Sequence, residues 1–253
     1  MSLHLTIITG ASRGLGLALA EQLLARGHRV LALSRQPPAL AVPTGAELIH
    51  WSVDLADALP TCGKLAAWLA GQPSGDVASA TLLNNAGVIS DLGALSEGDP
   101  AGLAHALRVG LEAPMLLTAA FLQATADWAA VRKVVLVSSG LGRRAMAGSA
   151  SYCAAKAGLD HLARAVALEE AEKPQGARVV SLAPGVIDTD MQVQLRSADP
   201  SRFAAQTRFM ALHRQGQLDT PAQAAAKLLA YLDRPDFGDN PVADVRDPPV
   251  ARA

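Results

Sequence analysis

A serine, a tyrosine and a lysine have the types and the spacing to do chemistry together. Ser139 follows an apolar run, Lys133–Ser138, that reads as a strand. Tyr152 comes 13 residues after Ser139, at the start of a helical pattern, and Lys156 follows at i+4. Residues four apart share one helix face. A free tyrosine titrates at about 10, too high for acid–base work near neutrality. A neighbouring ammonium favours the phenolate and lowers that value. Ser139 would hydrogen-bond a substrate carbonyl oxygen and stabilise charge developing there. The implied reaction moves a proton at a carbonyl/alcohol oxygen. Tyr-x-x-x-Lys alone is a cheap pattern that an ordinary helix pair also satisfies, so the elements around it must carry the reading.

Those elements alternate. Leu3–Thr9, Arg29–Ser34, Glu47–Ser52, Ala80–Asn84, Lys133–Ser138, Arg178–Ala183 and Val242–Val245 read as strands. Between them lie helical patterns over about 15–25, 64–70, 103–126, 151–172, 201–215 and 222–232. Strand–helix alternation predicts an α/β fold: one doubly wound, Rossmann-type parallel sheet with helices on both faces. The expected organisation is a single domain over 1–247, a substrate-covering segment near 190–215, and a loosely held tail at 248–253 after Asp247.

The first strand ends in Thr9-Gly10-Ala11-Ser12-Arg13-Gly14-Leu15-Gly16, and a helix pattern starts at once. Glycines in this position permit a tight turn and close approach to a pyrophosphate, and the helix start offers free N–H groups. Gly10, Ser12, Arg13, Gly14, Leu15 and Gly16 are therefore candidate phosphate ligands. A ribose with a free 2′-hydroxyl usually meets an acid after the second strand; this chain has Ser34 and Arg35 there. With Arg13 in the loop, two guanidinium groups and a hydroxyl suit a 2′-phosphate, which points to NADP(H). The alternative is a pair of solvated surface charges. Asp54, with Leu55 after it, either accepts from an adenine amino group or caps a turn.

Composition excludes several classes. The 253 residues are 50% apolar and 18% charged with net charge −1 and no basic stripe, so nucleic acid is a poor partner. Cys62 and Cys153 lack ligand spacing and the six histidines are scattered, so no metal site is expected. No apolar run has the length of a membrane span, and Met1–Thr9 lacks a basic leader pattern. The default location is the cytoplasm.

TGASRGLG at 9–16, NNAG at 84–87, SS at 138–139, YCAAK at 152–156 and PGVIDT at 184–189 together resemble the short-chain dehydrogenase/reductase family. The resemblance implies that Ser139, Tyr152 and Lys156 are catalytic, with Lys156 also orienting the nicotinamide ribose. It implies that Asn85, Ala86 and Gly87 close over the adenosine and ribose, and that Pro184, Gly185, Ile187 and Thr189 hold carboxamide and phosphate. Ala113–Thr118, the run from Tyr152 to Gln192 and the tail Val242–Asp247 are similar to the sepiapterin and benzil reductase branch. In that branch Asp244 falls on an acid that grips a pterin; a surface carboxylate at a strand end is the alternative. Met191 would line the substrate site, among Val193, Leu195, Phe203, Phe209, Met210 and Leu212, half of which ordinary packing explains.

One position departs from the family. Gly110 stands where an asparagine usually supports a water that relays protons to the lysine. Glycine keeps the backbone carbonyl and loses the side chain. Either the carbonyl suffices, or the enzyme is weakened or altered. The function expected is NADPH-dependent reduction of a small ketone, diketone or pterin side-chain carbonyl. The alternatives are another family reaction, of 3-oxoacyl or hydroxysteroid type, and a non-catalytic NADP(H)-binding redox sensor. The resemblance also implies a homodimer or homotetramer packed through the helices near 103–126 and 151–172.

Overall fold

The structure, a computed structural model, describes residues 3–250. Met1 and Ser2, and 251–253 of the expected tail, lie outside the described residues.

Seven parallel strands form one sheet: β1 (Leu3–Thr9), β2 (Arg29–Ser34), β3 (Glu47–Ser52), β4 (Val77–Asn84), β5 (Val131–Val137), β6 (Arg178–Ala183) and β7 (Val242–Asp244). Their spatial order is β3-β2-β1-β4-β5-β6-β7. The order reverses between β1 and β4, and the carboxyl ends there open a crevice. The helices are α1 (Gly14–Ala25), α2 (Leu59–Ala70), α3 (Pro100–Leu107), α4 (Ala113–Ala124), α5 (Ala150–Ala171), α6 (Asp190–Arg196), α7 (Gln206–Arg214) and α8 (Pro221–Leu232).

The sheet is buried on both faces, as its near-continuous Val, Ile and Leu runs require. On one face Leu5, Ile7, Leu82, Val134 and Leu136 pack with Leu65, Leu117, Phe121 and Leu159 from α2, α4 and α5. On the other, Ile8, Val30, Val135 and Val180 meet Leu19 and Leu23 of α1 and Leu228 and Leu229 of α8. A separate cluster of Leu92, Leu195 and Phe203, with Met191 and Phe209 against it, covers the crevice.

Two expectations change. The helix expected over 103–126 is interrupted: residues Arg108–Glu112 form a π-helical turn between α3 and α4. Pro114 explains the break, because it has no N–H to donate to the carbonyl of Gly110. The expected helix over 201–215 begins only at Gln206, and α6 precedes it. The described part of the tail makes hydrogen bonds back to the domain. Arg234 donates to the carbonyls of Asp247 (2.8 Å) and Pro248 (3.0 Å), and the N–H of Val250 donates to Asp236 (2.7 Å).

Candidate active site

A cleft of about 1310 Å³ runs along the carboxyl edge of the sheet, lined from Gly10 and Arg35 at one end to Ser139, Tyr152, Lys156 and Met191 at the other. The candidate site residues from the sequence, Asp244 among them, border it.

At the nucleotide end the glycines are needed by geometry. Gly10 and Gly14 have φ of +69° and +55°, in the left-handed region. A Cβ on Gly16 would lie 2.2 Å from the Gly10 carbonyl oxygen and 2.5 Å from the Asn85 amide nitrogen, so no larger residue fits. Helix α1 starts beside this turn with no side-chain cap, leaving first-turn N–H groups for a ligand. The turn, the uncapped helix start and the length of the cleft fit a dinucleotide.

The side chains there are held differently from what their types suggest. The Asn85 amide donates to the carbonyls of Thr9 (2.9 Å) and Gly10 (3.2 Å). It ties β4 to the loop and leaves the backbone of 85–87 to face the cleft. Ser34 is buried and its hydroxyl donates to the Gln36 carbonyl at 2.7 Å. Asp54 accepts from the Ala56 N–H at 3.0 Å, which is the turn-capping role. Arg13 pairs with Asp190 at 2.7 Å, with both side chains 71% exposed. Arg35 is exposed, and no ion pair holds it among the described residues.

At the other end Lys156 is buried, and Ser139 and Tyr152 are half-buried. Lys156 is 4% exposed and donates to the Val137 carbonyl at 2.7 Å. Its nitrogen sits 5.5 Å from the centre of the Tyr152 ring, and a Cβ on Gly87 would lie 3.6 Å from it. An ammonium has three donors; two remain beyond the Val137 bond. Burial lowers the Lys156 pKa to about 8, with the Asp160 carboxylate opposing. Burial also raises the Tyr152 pKa, opposed by the Ser139 hydroxyl. The sequence leads to the opposite expectation, a tyrosine lowered by Lys156. Desolvation of the half-buried phenol outweighs the Ser139 bond and favours the protonated form.

The remaining positions lie where the cleft needs them. Gly185 has φ of +88°, and Thr189 packs 3.4 Å from where a Gly14 Cβ would be. Pro184, Ile187 and Met191 line the same wall. Gly110 is buried, and a Cβ on it would lie 3.1 Å from the Ala155 Cβ, so a side chain there would crowd α5 next to Lys156.

Asp244 is not a free carboxylate. Arg246 clamps it through two bonds of 2.6 Å, from Nε to Oδ1 and from Nη2 to Oδ2. Arg246 was not singled out by sequence; its signal is only an arginine two residues after an acid. Asp190 and Asp160 were missed for the same reason, as polar residues at ordinary helical positions. No group of three or more His, Cys, Asp or Glu able to hold a metal occurs among the described residues. Nor, among them, is any helix long and apolar enough to cross a membrane.

The short chain dehydrogenase family matches residues 4–200 of the chain. A benzil reductase ((S)-benzoin forming) of Bacillus cereus is 33% identical, over 91% of this chain and 94% of that protein. A sepiapterin reductase of Meriones unguiculatus is 32% identical, over 95% of each. Among solved structures, the KRED1-Pglu enzyme is similar with a TM-score of 0.80 and 26% identity, covering 95% of this chain and 99% of that one. The tyrosine–lysine pair and the glycine turn thus occur in a chain that belongs to the short-chain dehydrogenase family of oxidoreductases.

Proposed function

We propose that this oxidoreductase is an NADPH-dependent carbonyl reductase for a small ketone or diketone, with Tyr152 as general acid. The observation that carries the reading is the convergence of Ser139, Tyr152 and Lys156 on the wall of a cleft whose far end holds the glycine turn and Arg35. Its relatives named for benzil and sepiapterin reduction support a carbonyl substrate. The clamp on Asp244 favours the diketone over the pterin, since a pterin would have to compete with Arg246 for that carboxylate.

When bound, the dinucleotide supplies the hydride. Lys156 holds the ribose hydroxyls with the donors left beyond Val137. Ser139 donates to the substrate carbonyl oxygen, and Tyr152 gives that oxygen its proton as negative charge develops. The carbonyl of Gly110, with no N–H on Pro114 to take it, is available to a water that restores the proton through Lys156. Arg35, joined by Arg13 once released from Asp190, meets the 2′-phosphate.

Self-association belongs to the same proposal. Met115 on α4 and Leu168 on α5 are 45% and 73% exposed apolar side chains on the helices concerned. Light scattering that reads a monomer removes this part alone.

The test is oxidation of NADPH with benzil, sepiapterin and a 3-oxoacyl thioester, each repeated with NADH. Benzil turnover with NADPH preferred is the expected result. Equal use of NADH defeats the 2′-phosphate reading; turnover confined to the thioester defeats the diketone reading.

A further inference from the structure

Asp160 lies one helical turn after Lys156, and no step above uses it. Its side chain is 3% exposed. Oδ1 accepts two hydroxyls, Ser138 at 2.6 Å and Ser181 at 2.7 Å, from the ends of β5 and β6. Oδ2 has no hydrogen bond. Arg143 Nε stands 3.4 Å from it, and the same guanidinium donates to the Ala243 carbonyl of β7 at 2.7 Å. The turn Gly140–Gly142, directly after Ser139, comes down onto this carboxylate. A Cβ on Gly142 would be 2.7 Å from Oδ2 and 2.9 Å from the Lys156 carbonyl oxygen. Only glycine lets the turn approach so closely.

A buried anion is costly to desolvate, and two neutral hydroxyls with one off-line guanidinium are a lean set of partners. An amide of the same shape would fill the same space at less cost. The charge therefore calls for a use; His161 and Arg164 on α5 are exposed, and the buried cation one turn before it is Lys156. We propose that Asp160 is a positioning residue for the proton transfer: it pins the end of β5 and the 140–142 turn on either side of Ser139, and keeps Lys156 charged from one turn below.

The other groups around it do not take over this role. Within α5, Tyr152 is neutral, and Asp160 is the charge that opposes the effect of burial on Lys156. The strands β5 and β6 present hydroxyls only. From the 140–142 turn comes Arg143, and from β7 Asp244, itself clamped by Arg246. On the neighbouring helical segment His105, Arg108 and Glu112 are exposed.

The inference rests on Lys156 and Tyr152 being the proton machinery, so its test reads titration apart from turnover. Lys156 is followed by nitrogen NMR of labelled side chains in cofactor-free protein, alongside the pH profile of kcat/KM for benzil reduction. In Asp160→Asn the Lys156 titration is expected to fall by ~1 pH unit. The alkaline limb of the profile should move with it, and kcat should drop more than KM changes. A folded variant whose Lys156 titrates as in the wild type overturns the inference, whatever its melting temperature. Should Asp160→Asn not fold, Arg143→Met tests the same field with the opposite sign: Lys156 should titrate higher, and no movement overturns the inference. If the titration moves but the wild type reduces no ketone, the proposed function fails while the electrostatic role of Asp160 stands.

Discussion

Lys156 and Arg35 are both cations on the wall of one cleft, held in opposite ways. Lys156 is 4% exposed, bonded to the Val137 carbonyl and placed one turn from Asp160. Arg35 is exposed, without an ion pair among the described residues, and Arg13 beyond it sits in a salt bridge whose members are each 71% exposed. In a dry site a charge acts strongly on its neighbours and shifts their protonation. In water each ion pair is worth little and is screened by salt. On the proposed function, the Lys156 end is thus a fixed electrostatic device, whereas the Arg35 end is an adjustable grip.

The largest expected effect lies at the dry end. Tyr152→Phe should lower kcat by about 10²–10⁴-fold while NADPH still binds, as fluorescence titration would show. Full activity in that variant would erase the contrast.

Next comes Lys156→Met, which should lose activity yet gain stability. The folded chain lowers the lysine from 10.5 to about 8, so folding penalises the ammonium. Between about 8 and 10.5 the unfolded chain holds the proton longer, and wild-type stability should rise with pH across that window. The variant should lack this rise. At pH 7 it should be more stable by about 1–3 kcal/mol in urea denaturation, less what the lost bond to Val137 contributed. A less stable variant with an unchanged pH slope would mean that Lys156 is not under desolvation strain. Ketone reduction by the wild type should decline above pH ~8, as the ammonium is lost.

Gly110→Asn should cost about 1–3 kcal/mol by overpacking against Ala155, with kcat unchanged or lower. A rise in kcat would show instead that the missing side chain limits proton supply. At the wet end the effects shrink. Arg35→Ala should raise KM for NADPH about 10-fold and leave KM for NADH alone. Asp190→Ala releases Arg13 and should lower KM for NADPH by only about 2-fold, an effect that 0.5 M salt should remove on the scale of ordinary screening.

The same contrast sets what was legible in the sequence. Ser139, Tyr152 and Lys156 are visible because their chemistry fixes their spacing on one strand end and one helix. The glycine turn is visible because Gly16 admits no Cβ. Strands β1 to β6 were placed by their apolar runs to within three residues, their parallel order by alternation with helices. The break at 108–112 was missed because helical periodicity runs through it; Pro114 was the signal, read too leniently. Helix α6 was missed because seven mixed residues carry little periodicity. Whether a polar residue faces water or another polar group is not a property of local sequence. Asp160, Asp190 and Arg246 acquire their partners only when distant segments meet, and Ser34 and Asn85 lose theirs to the backbone in the same way.

The strand order has a consequence for how the chain reaches its native state. In the sheet β1 lies between β2 and β4, and its pairing sets Leu3 opposite Val77 across the whole intervening segment. Such non-local parallel pairing has to close a long loop before any contact rewards it, which slows folding. Ser139 then waits on β5, and Asp160 on Ser181 of β6 and, through Arg143, on β7. The glycine turn lies early in the chain, whereas the groups around Asp160 meet only once β6 and β7 have docked. On the proposed function, a chain clipped before β6 should therefore reduce no ketone.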